Sequence, residues 1–374
     1  MRILVVNSFV GRGAGGQERV ALDLAIGLDR MGHSVFILGP YSHCDDLRRR
    51  IPNGVAVFEE PWETRSPGAE SPFELFRAAF RIIRRERIEI VSGHGRMFGV
   101  YLACCLTRVF LVWTLHGAGT TAVHRPLDLK RAAICALFRY LSRGHLSRLV
   151  AVSEFTRTCF LGMLRDPRNS KVAVIRNGIA ALPVLSDIPV PSFTGIARLG
   201  YVGRVERQKG VFDFVRLCDR LKYLRVPFSL RIFGNGSEEE ALRQALSRWI
   251  GTTVTFEGYE GDVHKIYSSF DVLVHPAQAE WLGTNLIESQ AAARIAVAYR
   301  SGGNPEVIVD SVSGFTAQPG DTDGLAAIIE SIYQNPGAAA QVALEARRSA
   351  QTEFSLERMC GEYELLFREL HGQS

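Results

Sequence analysis

The 374 residues include seven cysteines but no C-x-x-C pair, so the spacing that zinc sites and thioredoxin-like redox centres need is missing. Cys104 and Cys105 are neighbours within an apolar run, as buried thiols of a reducing compartment would be, and neither a disulfide nor zinc is expected. A secretory leader is not expected either, because the apolar run after Met1 and Arg2 gives way at once to Asn7-Ser8. A cytoplasmic location is therefore expected. The longest apolar stretch, MFGVYLACCLTRVFLVWTL (97–115), approaches the length of a membrane span but is cut by Thr107-Arg108. It reads as a buried helix followed by a buried strand, the rhythm of a parallel sheet.

A nicotinamide site is disfavoured by two further absences. NSFVGRGAGGQERVAL (7–22) places Gly11, Gly13 and Gly16 in G-x-G-x-x-G spacing. In a dinucleotide fold the first glycine ends the strand and an acid about 20 residues on takes the ribose. Here Asn7 to Val10 separate the apolar run RILVV from Gly11, and the next strand, SVFIL, ends in Gly39-Pro40. Gly15 and Gly16 do open an apolar-periodic helix (Val20, Leu24, Ile26, Leu28), whose first amides could face an anion. A plain strand-to-helix turn is the alternative.

Hydrophobic residues make up 47% of the chain, enough for two cores at this length. Strand-like runs occur at RILVV, SVFIL, VAVF, IEIVS, VFLVWTL, RLVAVS and KVAVI, and again at ARLGYVG, FSLRIFG, TVTFEG, DVLVHP and RIAVAY, with helix-length segments between most of them. The expected fold class is α/β, with two doubly wound Rossmann-like domains. Residues 1–180 would form the first domain, the Pro-rich 181–195 a linker, 196–354 the second domain, and 355–374 a C-terminal helix returning to the first. Ligands of such sheets bind at the carboxyl ends of strands, so the loops there are the candidate site.

Charge is uneven. Up to residue 190 there are 26 basic against 16 acidic residues, and beyond it 18 against 23. Much of the excess lies in FELFRAAFRIIRRER, where Arg77, Arg81, Arg84 and Arg85 run beside Phe76, Ala79, Phe80 and Ile83, and in DLKRAAICALFRYLSRGHLSRL. The first segment reads either as an amphipathic helix for an anionic membrane surface or as a solvated face over an ordinary core stripe. Nucleic acid is not expected as a partner, since no stacking aromatics or binding motif accompany the basic residues.

In the second half, YVGRVERQKG places Arg204 and Lys209 just past a strand, two cations suited to a diphosphate. HPAQAEWLGTNLIESQAAA carries Glu280 and Glu288 with Gly283 between them. A helix beginning near Gly283 would offer amides to a phosphate, and Glu288 could take vicinal hydroxyls. Solvated acids at a helix start and a surface lysine are the bland reading of the same residues.

GRVERQKG followed by E-x-x-G-x-x-x-x-E resembles the donor-site pair of the retaining nucleotide-sugar glycosyltransferases of family 4, which have the GT-B fold. GGQE, WTLHG, AVSEFTR, VIRNGI, IFGNGSE, FEGY, YSSFDVLVHPA and SGGNPEVI...SGF agree in order, so the resemblance spans nearly the whole chain. It implies that Arg204 and Lys209 neutralise the departing diphosphate, Glu288 binds the nucleotide ribose and Glu280 the transferred sugar. Amides at Gly283, Thr284 and Asn285 would assist at the phosphates or sugar. His116 would approach the sugar from the first domain, Gly15 and Gly16 would border the phosphates, and Gly234 and Tyr259 are further substrate-binding candidates. His94 in SGHGRM reads as structural.

The resemblance further implies glycosyl transfer from a nucleoside diphosphate sugar to a hydroxyl acceptor, a glycan or lipid-linked molecule, with retention of configuration and no cofactor or metal. Asp321-Thr322-Asp323 matches the D-x-D of metal-dependent transferases, but it precedes the periodic GLAAIIESIY and reads better as a helix N-cap. Two positions depart from the family pattern: Ala180 stands where Asp is usual after Asn-Gly, and Arg294 where glycine is common. A nucleotide-sugar epimerase of the same fold, a non-catalytic sugar binder and, less well supported, a nicotinamide oxidoreductase remain as alternatives.

Overall fold

The computed structural model describes residues 1–8, 15–59, 71–95, 97–117, 147–164, 166, 169 and 171–372. Gly11, Gly13 and nearly all of the second basic segment (128–149) lie outside the described residues. The chain divides into two compact units, Met1–Gly178 with Leu356–Ser374, and Ile179–Ser355.

Among the described residues, the first unit is built on a seven-stranded parallel sheet of β1 (Arg2–Asn7), β2 (Ser34–Leu38), β3 (Ala56–Phe58), β4 (Ile90–His94), β5 (Phe110–Leu115), β6 (Ser147–Ala151) and β7 (Val172–Val174). The order is β3-β2-β1-β4-β5-β6-β7. Its helices include α1 (Gly16–Arg30), α2 (Pro72–Arg85), α3 (Phe98–Thr107) and α4 (Glu154–Leu164). Strands covered on both faces are apolar throughout, and Ile3 to Val6 are fully buried. The 97–115 stretch is a helix and a strand, broken where Arg108 takes a left-handed conformation (φ 57°). Among the described residues no helix is long and apolar enough to cross a membrane. Helix α2 starts at a capping box: the Ser71 hydroxyl accepts from the Glu74 amide at 3.2 Å, and the Glu74 carboxylate accepts from the Ser71 amide at 2.9 Å.

The second unit carries β8 (Ala197–Val202), α5 (Asp213–Tyr223), β9 (Phe228–Phe233), α6 (Glu239–Ala245), β10 (Val254–Gly258), α7 (Val263–Ser268), β11 (Val272–His275), α8 (Thr284–Ala291), β12 (Ile295–Tyr299), β13 (Phe315–Ala317), α9 (Thr322–Gln334) and α10 (Pro336–Glu353). Its parallel sheet runs β10-β9-β8-β11-β12-β13. The last strand, only three residues long, was not legible as a strand in the sequence. Leu199 and Tyr201, Leu230 and Ile232, Val272 and Val274, and Ile295, Val297 and Tyr299 alternate along their strands and share one core with Phe214, Leu217, Leu325 and Ile329. Within 181–195, Leu182–Ser186 form a short helix with Leu182 and Leu185 buried.

The final helix, α11 (Leu356–His371), belongs to the first unit, where Tyr363 shares a 2.7 Å hydrogen bond with Thr114 of β5. In both sheets the winding reverses beside the unit's first strand, between β1 and β4 and between β8 and β11. A reversal of this kind opens a crevice at the carboxyl ends of the strands.

Candidate functional site

In the second unit, the loop after β8 passes directly over the loop after β11. Gly210 has φ 70°, and a Cβ there would stand 1.8 Å from the Pro276 carbonyl oxygen, so only glycine allows this approach. The approach delivers Lys209: its ammonium donates to Glu280 Oε2 at 2.6 Å, with both side chains largely buried. The Glu280 carbonyl accepts from the Gly303 amide at 2.8 Å, which ties the loops after β11 and β12 together. His275, the last residue of β11, places Nε2 3.2 Å from the same Oε2. Burial alone would raise the Glu280 carboxyl, but His275 and the Lys209 ammonium overcome it and hold the group well below the ordinary carboxylate range. Glu280 is therefore an ionised acceptor, suited to sugar hydroxyls and unsuited to donating a proton.

Helix α8 begins at Gly283, its N-cap, and no side chain caps it. The Thr284 and Asn285 amides have no acceptor among the described residues, which leaves them open to an anion at the positive end of the helix. The Asn285 side chain donates to the Val202 carbonyl at 2.7 Å and lies 3.1 Å from His275 Nδ1. On the next turn Glu288, 9% exposed, accepts from the Tyr267 hydroxyl at 2.8 Å. The same hydroxyl lies 3.2 Å from the Asn285 carbonyl. Buried Arg294 donates to the Tyr267 carbonyl at 2.7 Å and to the Pro189 carbonyl at 3.0 Å, so the residue that departs from the family's glycine braces the tyrosine behind Glu288.

The structure thus brings Lys209 to Glu280 and sets Gly283, Thr284 and Asn285 beside them. Arg204 takes no part in this contact: its guanidinium pairs with Glu206 at 2.7 Å and is 64% exposed. Gly234 follows β9 with φ 117°, and a Cβ on it would meet the Gly203 carbonyl at 2.0 Å. Its amide donates to Gly258 at 2.6 Å, so this glycine joins the loops after β8, β9 and β10. Tyr259 stands just past β10 and is 40% exposed. Asp321 caps α9 through the Gly324 amide at 2.8 Å, the N-cap role read for it in the sequence. Sequence reasoning missed His275 and Tyr267, although the position of His275 at the carboxyl end of a strand was the available signal.

The first unit has its own constellation. His94 ends β4 and His116 follows β5, and Nδ1 of the former lies 2.7 Å from Nε2 of the latter. The Ser92 hydroxyl is 3.3 Å from the other nitrogen of His94. Burial lowers both rings, aided for His94 by His116, and pushes His116 down to about 3. The pair is neutral, so it can exchange hydrogen bonds but does not supply charge. His94, read from sequence as a structural residue, is the hydrogen-bond partner that orients His116. Gly15 is the N-cap of α1 and Gly16 its first residue. A Cβ on Gly15 would press to 2.6 Å on the buried Glu18 carboxylate.

Residues 14–181 match the family model described as Glycosyltransferase Family 4, and residues 191–349 the one described as Glycosyl transferases group 1. Glycogen synthase of Mycobacterium tuberculosis is 32% identical over 219 residues, 56% of this chain and 52% of that protein, so the chain spans about half the length of this curated relative. The phosphatidylinositol N-acetylglucosaminyltransferase gpi3 subunit of Schizosaccharomyces pombe is 24% identical across 88% of this chain and 72% of its own. Among solved structures, a glycosyltransferase of Rickettsia africae superposes with a TM-score of 0.80 at 19% identity, covering 100% of this chain and 99% of the other. Anabaena HepE in complex with UDP-glucose gives 0.77 at 18% identity, covering 99% and 100%. With a family model on each unit and this architecture in both, the chain belongs to the group 1 glycosyltransferases and has the GT-B fold.

Proposed function

We propose that the chain transfers a glycosyl group from a nucleoside diphosphate sugar to a hydroxyl of a glycan or lipid-linked acceptor, with retention of anomeric configuration, in cell-surface glycan or glycolipid synthesis. The observation that carries this reading is the Lys209–Glu280 pair at the β8/β11 reversal, beside the open amides that begin α8. A cation and amides suit the diphosphate, and an ionised carboxylate suits the sugar. HepE, whose structure holds UDP-glucose, has the same fold. In this reading Glu288 takes the ribose, Tyr259 and Gly234 border the nucleotide, and Gly15, Gly16 and His116 contribute from the first unit.

Retention through a covalent intermediate needs two carboxylates about 5 Å apart, one of them a nucleophile. Glu288 is held by the Tyr267 hydroxyl and read as the ribose ligand, and the sequence offers no persuasive partner carboxylate for Glu280. The reading is therefore a front-face displacement. The bond from the anomeric carbon to the phosphate oxygen breaks while the acceptor oxygen bonds to the same face. The acceptor's proton passes to the departing phosphate, whose charge Lys209 and Arg204 stabilise. No metal or organic cofactor enters the scheme.

Nucleotide release from a panel of UDP-, GDP- and ADP-sugars, with and without simple acceptors and with chelator present, tests the proposal, and NMR of the product's anomeric proton tests retention. Donor conversion without acceptor would establish the epimerase instead, and donor binding without nucleotide release a non-catalytic binder.

A location at the cytosolic face of a membrane completes the proposal. Phe76, Arg77, Phe80, Arg81, Arg84 and Arg85 line one concavity on α2, and Phe73 beside them is 65% exposed. Arginines held near anionic lipid contribute about 1 kcal/mol each, enough for reversible attachment. Co-sedimentation with phosphatidylserine-containing vesicles should exceed that with neutral ones, weaken with salt, and fall when Arg77, Arg81, Arg84 and Arg85 become glutamine. Equal recovery on both vesicles would leave a soluble acceptor as the better account.

A further inference from the structure

We infer that His275 is a positioning residue for Glu280, locked in one tautomer by the Asn285 side chain. The inference rests on the reading of Glu280 as the carboxylate that receives the donor sugar. The Val202 carbonyl can only accept, so the Asn285 atom 2.7 Å from it is the amide nitrogen. The amide oxygen is accordingly turned to the Leu286 amide at 3.0 Å. The same nitrogen lies 3.1 Å from His275 Nδ1, and its two hydrogens serve two acceptors. Nδ1 therefore carries a lone pair and the ring proton sits on Nε2. Nε2 is buried, lies off the line of a full hydrogen bond, and has Glu280 Oε2 at 3.2 Å as the acceptor beside it.

This arrangement solves a problem that the site creates for itself. Lys209 pairs with Glu280 when the site is empty, yet in the proposed reading it is also a cation for the departing diphosphate. When Lys209 turns to phosphate, a buried carboxylate would lose its main counter-charge. Leaving such a group without partners costs more than an ordinary hydrogen bond supplies. The His275 N–H, beside Oε2 at 3.2 Å and free to close on it, keeps the carboxylate ionised and in place. Oε1, touched only by the Trp281 amide at 3.3 Å among the described residues, is the oxygen offered to the sugar.

Two variants separate positioning from packing. In His275→Gln the amide nitrogen can reach the place of Nε2 and retain the donor. In His275→Asn the shorter side chain reaches only the place of Nδ1, and the donor to Glu280 is lost. The full chain labelled with 15N-histidine, with His275→Gln used to assign the signal, should show Nε2 protonated and Nδ1 bare. Nucleotide release from the UDP-, GDP- and ADP-sugar panel should fall about tenfold in kcat/KM for His275→Asn and stay within about threefold for His275→Gln. A protonated Nδ1, equal activity in both variants, or equal loss in both overturns the inference. If the wild-type chain turns over no sugar of the panel, the donor reading fails by itself, and the 15N spectrum still decides whether Nε2 carries the proton that the positioning role requires.

Discussion

The two units wind the same way and arm the same place differently. At the β8/β11 reversal stand an ammonium and a carboxylate in contact, while beside the β1/β4 reversal, at the ends of β4 and its neighbour β5, stand two imidazoles that burial keeps neutral. The same architecture therefore offers charge in one unit and uncharged hydrogen bonds in the other. A departing diphosphate calls for fixed charge, because the energy of the transition state depends on where its negative charge goes. A sugar hydroxyl calls for neutral donors and acceptors, which do not compete for the phosphate. In the proposed reading the charged pair of the second unit takes the leaving-group work, and the neutral pair of the first unit is suited to hydrogen bonds alone.

The sharpest way to break this comparison is to remove the cation. Lys209→Ala should lower kcat by about 10²- to 10³-fold, because its contact strengthens as the phosphate gains charge. Arg204→Ala should cost less, since the Arg204 guanidinium is exposed and already paired with Glu206. If Arg204→Ala costs more, the two cations exchange the roles given to them here. Next in size, Glu288→Ala should raise the KM for donor about 10- to 100-fold while its melting temperature stays near that of wild type. Tyr267→Phe should give a smaller change in the same direction, because it removes only the hydroxyl that holds Glu288. Unchanged kinetics in a folded Glu288 variant would remove it from the donor site.

The resemblance and the strands were legible in the sequence for one physical reason: strands buried on both faces are apolar throughout, so each apolar run marked its strand and the site motifs fell in the loops after them. Contacts between those loops were not legible. Nothing in the order of residues shows that Gly210 lies against Pro276, since that approach depends on β8 and β11 becoming neighbours. His94 read as structural because its partner sits 22 positions away in sequence, just past the adjacent strand. His275 was hidden for a subtler reason: its tautomer is set by Asn285, and Asn285 is turned by the carbonyl of Val202 from yet another strand. Strand adjacency decides all three, and it is a property of the winding.

On the neutral side, His116→Ala should reduce kcat/KM about tenfold, the loss expected for one hydrogen bond to the sugar. His94→Gln should lose less, because its amide does not take the place of Nδ1 and only the orientation of His116 changes. Neither ring should contribute an inflection to the pH–rate profile between pH 5 and 8, as both are held neutral there by burial. An inflection in that window that vanishes in His116→Ala would make the ring an acid or base and undo the division of labour.

The smallest effect should appear in stability against pH, where the two sites lose their contributions in different windows. The imidazoles of the first unit are lowered from 6.5, so between that value and their depressed ones the unfolded chain binds protons that the folded chain refuses. Stability therefore declines as pH falls below about 6.5, with a slope of about 1.4 kcal/mol per pH unit for each proton fully taken up on unfolding. Glu280 is lowered from 4.5, so its contribution is complete above that value and declines only as pH falls beneath it. Melting temperatures measured from pH 8 to pH 3.5 should accordingly show two breaks. His94→Gln, which removes one of the refusing rings, should flatten the whole fall below pH 6.5, the part beneath 4.5 included, because the ring refuses its proton down to its depressed value. Glu280→Gln should flatten only the part below pH 4.5. If Glu280→Gln also flattens the fall between pH 6.5 and 4.5, the two sites do not differ in charge as the structure has them, and the separate roles argued for the two units lose their electrostatic basis.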